Sequence, residues 1–326
     1  MNEITIAEAL NQALAYEMSV DENVVILGED VGVNGGVFRI TVGLQERFGI
    51  DRVIDTPLAE GLISGMAIGM ATQGLKPIAE FQFMGFIYPG FDQIINHASR
   101  LRNRTRGRLT CPIVFRAPYG GGIHAPEHHS ESTEALFAHI PGIRVVVPSS
   151  PARAYGLLLS AIRDPDPVVF LEPKRIYRMM KQDVPDNGES LPLDRCFVLR
   201  EGSDVSLIAW GAMIHETTLV ADELEKEGIH AEIIDVATIK PLDIETILNS
   251  VNKTGRCVII HEAARTCGVG AEISAQIANK GLVSLLAPIQ RVTGYDTIMP
   301  YFKLEKYYMP SVKRILKAVK AVMEFV

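Results

Sequence analysis

Two stretches of this sequence combine residue types and spacings that could move protons. The first is Asp55-Thr-Pro-Leu-Ala-Glu60-Gly-Leu-Ile-Ser-Gly65-Met-Ala-Ile-Gly69, in which Glu60 has only apolar or small neighbours and no further charge follows up to Gly74. A carboxylate in apolar surroundings is costly to ionise, so its pKa rises, and an acid that keeps or shares its proton near neutrality can serve proton transfer. An acid at a helix start facing solvent, favoured there by the helix dipole, explains the same residue equally well. The second stretch is Arg116-Ala-Pro-Tyr-Gly120-Gly-Gly-Ile-His124-Ala-Pro126-Glu-His128-His129-Ser130-Glu131. Three successive glycines open backbone conformations closed to other residues, so the stretch reads as a shaped loop. Its histidines titrate near neutral pH and could act as acid, base or charge stabiliser. His128 and His129 are adjacent and would face opposite ways in an extended chain, so one of them at most points into a site.

Other chemistries find less support. A zinc site from His124, His128 and a carboxylate needs the two histidines on one helical face, and Pro126 breaks such a helix. There is no Gly-x-Ser-x-Gly nucleophile turn. There is no Gly-x-x-x-x-Gly-Lys-[Ser/Thr] phosphate loop, and Gly268-Val-Gly270-Ala-Glu272 lacks the third glycine of a dinucleotide fingerprint. A Gly-Asp-Gly segment followed by a metal-binding Asn pair is also absent. The basic tract Arg100-Leu-Arg102-Asn-Arg104-Thr-Arg106-Gly-Arg108 has no interleaved aromatics and reads as an exposed helix end and loop rather than a nucleic-acid site.

Short apolar runs alternate with amphipathic segments. Val24–Leu27, Ile113–Phe115, Arg144–Pro148 and Val168–Leu171 read as strands, several continuous in polarity as strands buried on both faces are. Thr5–Ser19, Glu60–Gln73, Phe91–Asn103 and Pro151–Arg163 read as the helices between them. The polar stretch Lys181–Asp194, with Pro185, Gly188 and Pro192, reads as a linker. The alternation then resumes with strands Val205–Ala209, Ala231–Val236 and Cys257–Ile260 and helices Thr217–Glu227, Ile244–Val251 and Ala271–Asn279. The expectation is α/β: two parallel-sheet domains, the second of about 130 residues. Gly61, Gly65 and Gly69 recur every four residues on the Glu60 helix. Each glycine inside a helix costs ~1 kcal/mol relative to alanine, so one glycine face needs a packing reason. Close packing on the chain's own sheet and a tight contact between subunits both supply one.

The 326 residues, 47% of them hydrophobic, suffice for a large core, and the net charge of −7 disfavours nonspecific nucleic-acid binding. Cys111, Cys196, Cys257 and Cys267 form no Cys-x-x-Cys pair and read as thiols of a reducing compartment. The N-terminal stretch lacks the features of a signal peptide, and no run of about 18 apolar residues reads as a membrane span. A cytoplasmic protein is expected.

Leu27-Gly-Glu29-Asp30-Val-Gly, Asp55-Thr-Pro-Leu-Ala-Glu60, Glu80-Phe-Gln-Phe, Phe91-Asp92-Gln93, His129-Ser130, Ala138-His139-Ile-Pro141-Gly142, Thr254-Gly-Arg256, His261-Glu262-Ala263 and Ala287-Pro288-Ile289-Gln-Arg291-Val292 run over nearly the whole length. On these the chain resembles the beta subunits of thiamine-diphosphate-dependent 2-oxo acid dehydrogenases, of the pyruvate type and close to the branched-chain type. The resemblance implies a transketolase-like pyrimidine-binding domain over residues 1–180, a linker over 181–197 and a transketolase C-terminal-like domain over 198–326. It implies that Glu60 hydrogen-bonds the aminopyrimidine ring nitrogen, that Glu29 is a second acid near that ring, that Phe86 stacks on it and that Leu58 lines the same wall. It implies that His129 faces the substrate or the lipoyl group. Ile113, Ala161, Ile162, Asp164 and Asp166 match positions that hold a structural potassium ion, mostly through backbone oxygens, with Asp166 where some relatives carry Asn. The absent Gly-Asp-Gly segment implies an alpha subunit that holds the diphosphate and magnesium, in an α2β2 heterotetramer. A dihydrolipoyl acyltransferase core is the further partner, with a basic docking domain suited to this acidic chain. The substrate is a small 2-oxo acid: pyruvate, with branched-chain 2-oxo acids or acetoin as alternatives. A noncatalytic α/β partner subunit is the alternative from another class.

Overall fold

A computed structural model describes residues 3–325. Met1 and Asn2, part of the N-terminal stretch read above for a targeting segment, and Val326 lie outside the described residues. The chain divides into two compact units. Residues up to Tyr119 together with Leu136–Leu193 form the first; Gly120–Ala135 together with the residues from Asp194 form the second.

In the first unit the strands are β1 (Val24–Gly28), β2 (Val53–Asp55), β3 (Lys76–Glu80), β4 (Val114–Tyr119), β5 (Arg144–Val146) and β6 (Val168–Pro173). They pair in the order β5-β6-β4-β3-β1-β2, all parallel. β1, β4 and β6 are buried along their whole length, which is why they read in sequence as continuous apolar runs. β2 and β3 are not among the strands expected from sequence: β2 is three residues long, and β3 carries Lys76 and Pro77 at its start. β1 leads to β2 on one side of the sheet and the chain then returns to place β3 on the other, so the strand order reverses between β1 and β3. In open parallel sheets, ligands bind outside the carboxyl ends of the strands at such a reversal.

The helices are α1 (Ile6–Val20), α2 (Glu60–Thr72), α3 (Tyr88–Asn96) and α4 (Pro151–Arg163). Thr5 and Glu8 form a reciprocal capping box that starts α1. Where one helix was expected over Phe91–Asn103, α3 begins three residues earlier because Pro89 suits a first turn. It ends at Asn96, and a 3-10 turn at Ala98–Arg100 and a short helix at Leu101–Arg104 follow. Within the stretch read as a linker, Gln182–Asp183 pairs antiparallel with Glu3–Ile4.

The second unit holds β7 (Phe197–Arg200), β8 (Val205–Ala209), β9 (Ala231–Asp235), β10 (Cys257–Ile260) and β11 (Gln290–Val292), in the order β11-β10-β8-β9-β7. The pairs are parallel except β9 with β7, so this sheet is mixed at one edge rather than purely parallel. Its helices are α5 (Met213–Lys226), α6 (Ile244–Thr254), α7 (Val269–Lys280), α8 (Phe302–Tyr308) and α9 (Val312–Met323). Among the described residues, no helix is long and apolar enough to cross a membrane.

Candidate functional site

The carboxyl ends of β1, β2 and β3 lie side by side, with Gly28 opposite both Asp55 and Glu80. Each end runs into a segment that carries a candidate residue: Glu29 after β1, Leu58 and Glu60 after β2, Phe86 after β3. Backbone crowding fixes this edge. A Cβ at Gly28 would stand 2.6 Å from the carbonyl oxygen of Glu80. The Thr56 amide donates to the Gly28 carbonyl at 2.9 Å, and the Gly32 amide donates to Asp55 Oδ1 at 2.7 Å. The turn after β1 is thereby tied to the segment leading to Glu60.

Glu60 opens α2 and is half-buried. This chain alone does not build the apolar enclosure the sequence led us to expect, because Leu58 beside it is 70% exposed. Glu29 is also half-buried, and its carboxyl lies above the usual carboxylate range, through partial burial first and then the nearby charges of Asp30 and Glu60. The charge of Glu60 thus reaches the Glu29 carboxyl across the two strand ends.

Within this chain the glycine face of α2 makes no tight contact, which leaves a subunit contact as the packing reason still open. Added Cβ atoms at Gly61 and Gly65 would come no nearer than 3.4 Å and 3.9 Å to their neighbours on α3, and Gly69 has open space. The close approach comes from Gly90 instead, where a Cβ would stand 2.8 Å from the Glu60 carbonyl oxygen. Gly90 thus lets α3 lie against the first turn of α2, which fixes the backbone that carries Glu60.

Phe86 is half-buried at the end of a train of rings. Tyr177 and Phe38 are 5.2 Å apart, Phe38 meets Phe83 edge-on at 5.4 Å, and Phe83 meets Phe86 edge-on at 5.7 Å. Tyr177 belongs to a buried charge network. Arg116, 1% exposed on β4, donates from Nη1 to Glu80 at 2.7 Å and from Nε and Nη2 to the two oxygens of Glu172 at 2.6 Å and 3.1 Å. The Tyr177 hydroxyl donates to Glu172 Oε2 at 2.5 Å. Burial, together with the charge of Glu172, raises the Glu80 carboxyl against the pull of Arg116. Two carboxyls face one guanidinium that holds both by charge-assisted hydrogen bonds. Sequence reasoning missed Arg116, Glu172 and Tyr177; a charged residue inside each of two apolar strands was the available signal.

His129 belongs to the second unit, in a 3-10 turn at Glu127–His129 within the loop Gly120–Ala135. The loop is closed by the Gly120 amide, which donates to the Glu131 carbonyl at 2.8 Å. His124 Nε2 lies 3.5 Å from Glu305 Oε2. Among the described residues there is no cluster of three or more His, Cys, Asp or Glu side chains that could hold a metal ion.

Of the residues matched to a potassium site, Ile113 lies beside the segment that carries Asp164 and Asp166. Ile113 precedes β4, Ala161 and Ile162 end α4, and Asp164 follows as its C-cap. The Val168 amide donates to the Ile113 carbonyl at 2.9 Å and the Cys111 amide to Pro165 at 3.0 Å. The two carboxylates serve arginines: Asp164 with Arg144 at 2.9 Å, Asp166 with Arg102 at 2.7 Å.

Comparison with known proteins gives concordant results. The family model of the transketolase pyrimidine binding domain matches residues 2–180, and that of the transketolase C-terminal domain matches residues 194–315. The chain is 49% identical over 325 residues to a pyruvate dehydrogenase E1 component subunit beta from Bacillus subtilis, covering all of both chains. It is 50% identical over 317 residues, 97% of each chain, to the protein of that name from Acholeplasma laidlawii, and 46% identical over 325 residues to that from Staphylococcus aureus. A solved split-gene transketolase, in an inactive beta4 tetramer, superposes over 99% of both chains with a TM-score of 0.81 at 24% identity, which shows the shared fold.

Proposed function

We propose a division of labour for this chain on the premise that it belongs to the family of pyruvate dehydrogenase E1 component beta subunits, thiamine-diphosphate-dependent proteins that act with an alpha subunit. In this division the chain supplies the pyrimidine end of the cofactor site, and the alpha subunit supplies the diphosphate and magnesium end. The single observation that carries it is the pair Glu29 and Glu60, half-buried and electrostatically coupled at the strand-order reversal. When bound, the cofactor supplies a carbon centre that adds to the carbonyl of a 2-oxo acid and an electron sink for loss of carbon dioxide.

The residues present fit the pyrimidine end. Glu60 holds or shares a proton toward the ring nitrogen. Glu29, whose carboxyl is raised by partial burial and by the charges of Asp30 and Glu60, stands as the second acid near that ring. Phe86, braced by Phe83 and Phe38, offers a ring face for stacking. The exposed side chains of Leu58 and Leu62 form an apolar wall that a partner subunit completes, expelling water and strengthening the electrostatics of Glu60. His129 serves the substrate or lipoyl end. A potassium ion at the backbone oxygens of Ile113, Ala161, Ile162 and Asp164, with Asp166 beside it, would brace the start of β4. Within this reading the pyrimidine-binding domain spans 1–180, the linker 181–197 and the C-terminal-like domain 198–326.

The reaction is oxidative decarboxylation of a 2-oxo acid with reductive acylation of lipoamide, in an α2β2 assembly docked on a dihydrolipoyl acyltransferase core in the cytoplasm. Pyruvate is the substrate, on the names of the relatives. The test is reconstitution with the alpha subunit and comparison of pyruvate, 2-oxoisovalerate and acetoin. Pyruvate should give the highest kcat/KM, and the isolated chain should bind thiamine diphosphate only weakly. Tight magnesium-dependent binding by the chain alone would overturn the divided site.

A further inference from the structure

The second unit explains the triple glycine in a way that the reaction above does not use. Glu262 follows β10 at the carboxyl edge of its sheet, and Glu305 lies on α8; both side chains are buried. The Gly121 amide donates to Glu262 Oε2 at 2.9 Å. The Gly122 and His124 amides donate to the two oxygens of Glu305 at 2.8 Å and 3.2 Å. Three backbone donors of one short segment thus converge on two buried carboxylates. The segment needs left-handed backbone to do this: φ is +87° at Gly120, +83° at Gly122 and +60° at His124. A Cβ at Gly120 would stand 2.6 Å from Glu262 Oε1, so glycine is also what admits the carboxylate. Left-handed turns of this kind let neighbouring amides point at anions, and here the anions are the protein's own carboxylates. The far end of the same loop, through Glu127, Ser130 and Glu131, walls a cavity of about 290 Å3 with Ala263, Thr297 and Tyr308.

We propose that Glu262 and Glu305 are positioning residues for His129: they clamp the Gly120–Glu131 loop through its amides and so set where the imidazole is presented. This rests on the reading of His129 as the substrate-facing histidine. Charge-assisted bonds to buried carboxylates are among the stronger hydrogen bonds available, and here they act beside the Gly120–Glu131 closure and the turn hydrogen bonds at His129 and Ser130.

The test uses the reconstituted holoenzyme with Glu262→Gln, Glu305→Gln and His129→Ala, read by amide hydrogen exchange over residues 120–131 and by steady-state kinetics. Each glutamine variant should speed exchange in that segment about tenfold or more, as loss of a buried charged hydrogen bond implies. Each should lower kcat/KM for the 2-oxo acid or lipoyl substrate and leave thiamine-diphosphate affinity within about twofold, because the pyrimidine residues lie on other elements. Should Glu305→Gln fail to assemble, Glu305→Asp keeps the buried charge but draws it back by one methylene, and should give the same split. Wild-type exchange in these variants overturns the clamp. Faster exchange with unchanged kinetics, alongside a crippled His129→Ala enzyme, overturns the positioning role. A fully active His129→Ala enzyme overturns the reading of His129 itself and with it the positioning.

Discussion

Replacing Glu134 by Gln should change how stability depends on pH, and the direction follows from its surroundings. Glu134 is fully buried, and its carboxyl is pushed from the ordinary 4.5 up to about 7, by burial first and then by the charge of Glu262, against its own backbone hydrogen bond and that from Trp210. Trp210 Nε1 donates to its Oε1 at 3.3 Å, while Oε2 has no hydrogen-bond partner, so little favours the anion. Between pH 4.5 and 7 the folded chain holds a proton that the unfolded chain has lost. This contribution to stability is complete below pH 4.5, declines as pH rises and is gone above about pH 7. At about 1.4 kcal/mol per pH unit, the full interval corresponds to about 3 kcal/mol. His261 acts in the opposite sense. It is buried and stacked on Trp210 at 5.1 Å, and burial first, then the charge of Arg291, lowers it from 6.5 to about 4. Its contribution is present above pH 6.5 and declines as pH falls toward 4. The two offset each other over most of this range in the unaltered protein. Glu134→Gln keeps an oxygen for Trp210 and cannot ionise, so it should expose the His261 dependence alone. Trp210 is the only tryptophan in the chain and touches both groups, so its fluorescence in urea titrations from pH 4.5 to 8 is the assay. The stability difference between variant and parent should grow from near zero at pH 4.5 to about 3 kcal/mol at pH 8, in favour of the variant. A difference that stays flat across this range would refute the reasoning, because it would mean that Glu134 holds no proton.

Other consequences concern the first unit and the thiols. Arg116→Met leaves Glu80 and Glu172 buried without their cation and should cost about 3–5 kcal/mol, seen as a large fall in the urea midpoint; an unchanged midpoint would contradict the network. Cys111, Cys196 and Cys257 are buried, and burial pushes their thiols up, Cys111 to about 12. Only exposed Cys267 should react with a chromogenic disulfide reagent in the folded protein, and all four thiols after denaturation.

How much could be read in advance depended on whether the signal was local. The strands β1, β4, β6, β8 and β10 are apolar runs buried on both faces, and their polarity announces them. β2 and β3 do not announce themselves: one is too short for periodicity, and the other opens with lysine and proline, tolerated there because pairing with β4 begins only at Ile78. Glu60 was visible as an isolated charge at a helix start. Its coupling to Glu29 was not, because it depends on which strand ends the topology sets side by side. The Arg116 network joins residues 36 and 56 positions apart, beyond any local pattern. The three glycines marked a shaped loop correctly, yet nothing in their neighbourhood named Glu262 or Glu305, which lie well over a hundred residues away. The glycine face of α2 shows the same limit: spacing marks where a helix could be approached closely, but within the chain the close approach comes from Gly90 on the facing helix, and the spacing names no partner for Gly61, Gly65 and Gly69.

Glu60 is the proton-handling acid proposed for a site shared between two chains. The most direct measurement is turnover of the reconstituted α2β2 complex with Glu60→Gln, with assembly checked by sedimentation. Loss of a general acid–base group costs about 100-fold to 10,000-fold. The expected result is an intact heterotetramer whose kcat falls by at least about 100-fold. A heterotetramer that decarboxylates pyruvate at a near-normal rate would contradict the claim.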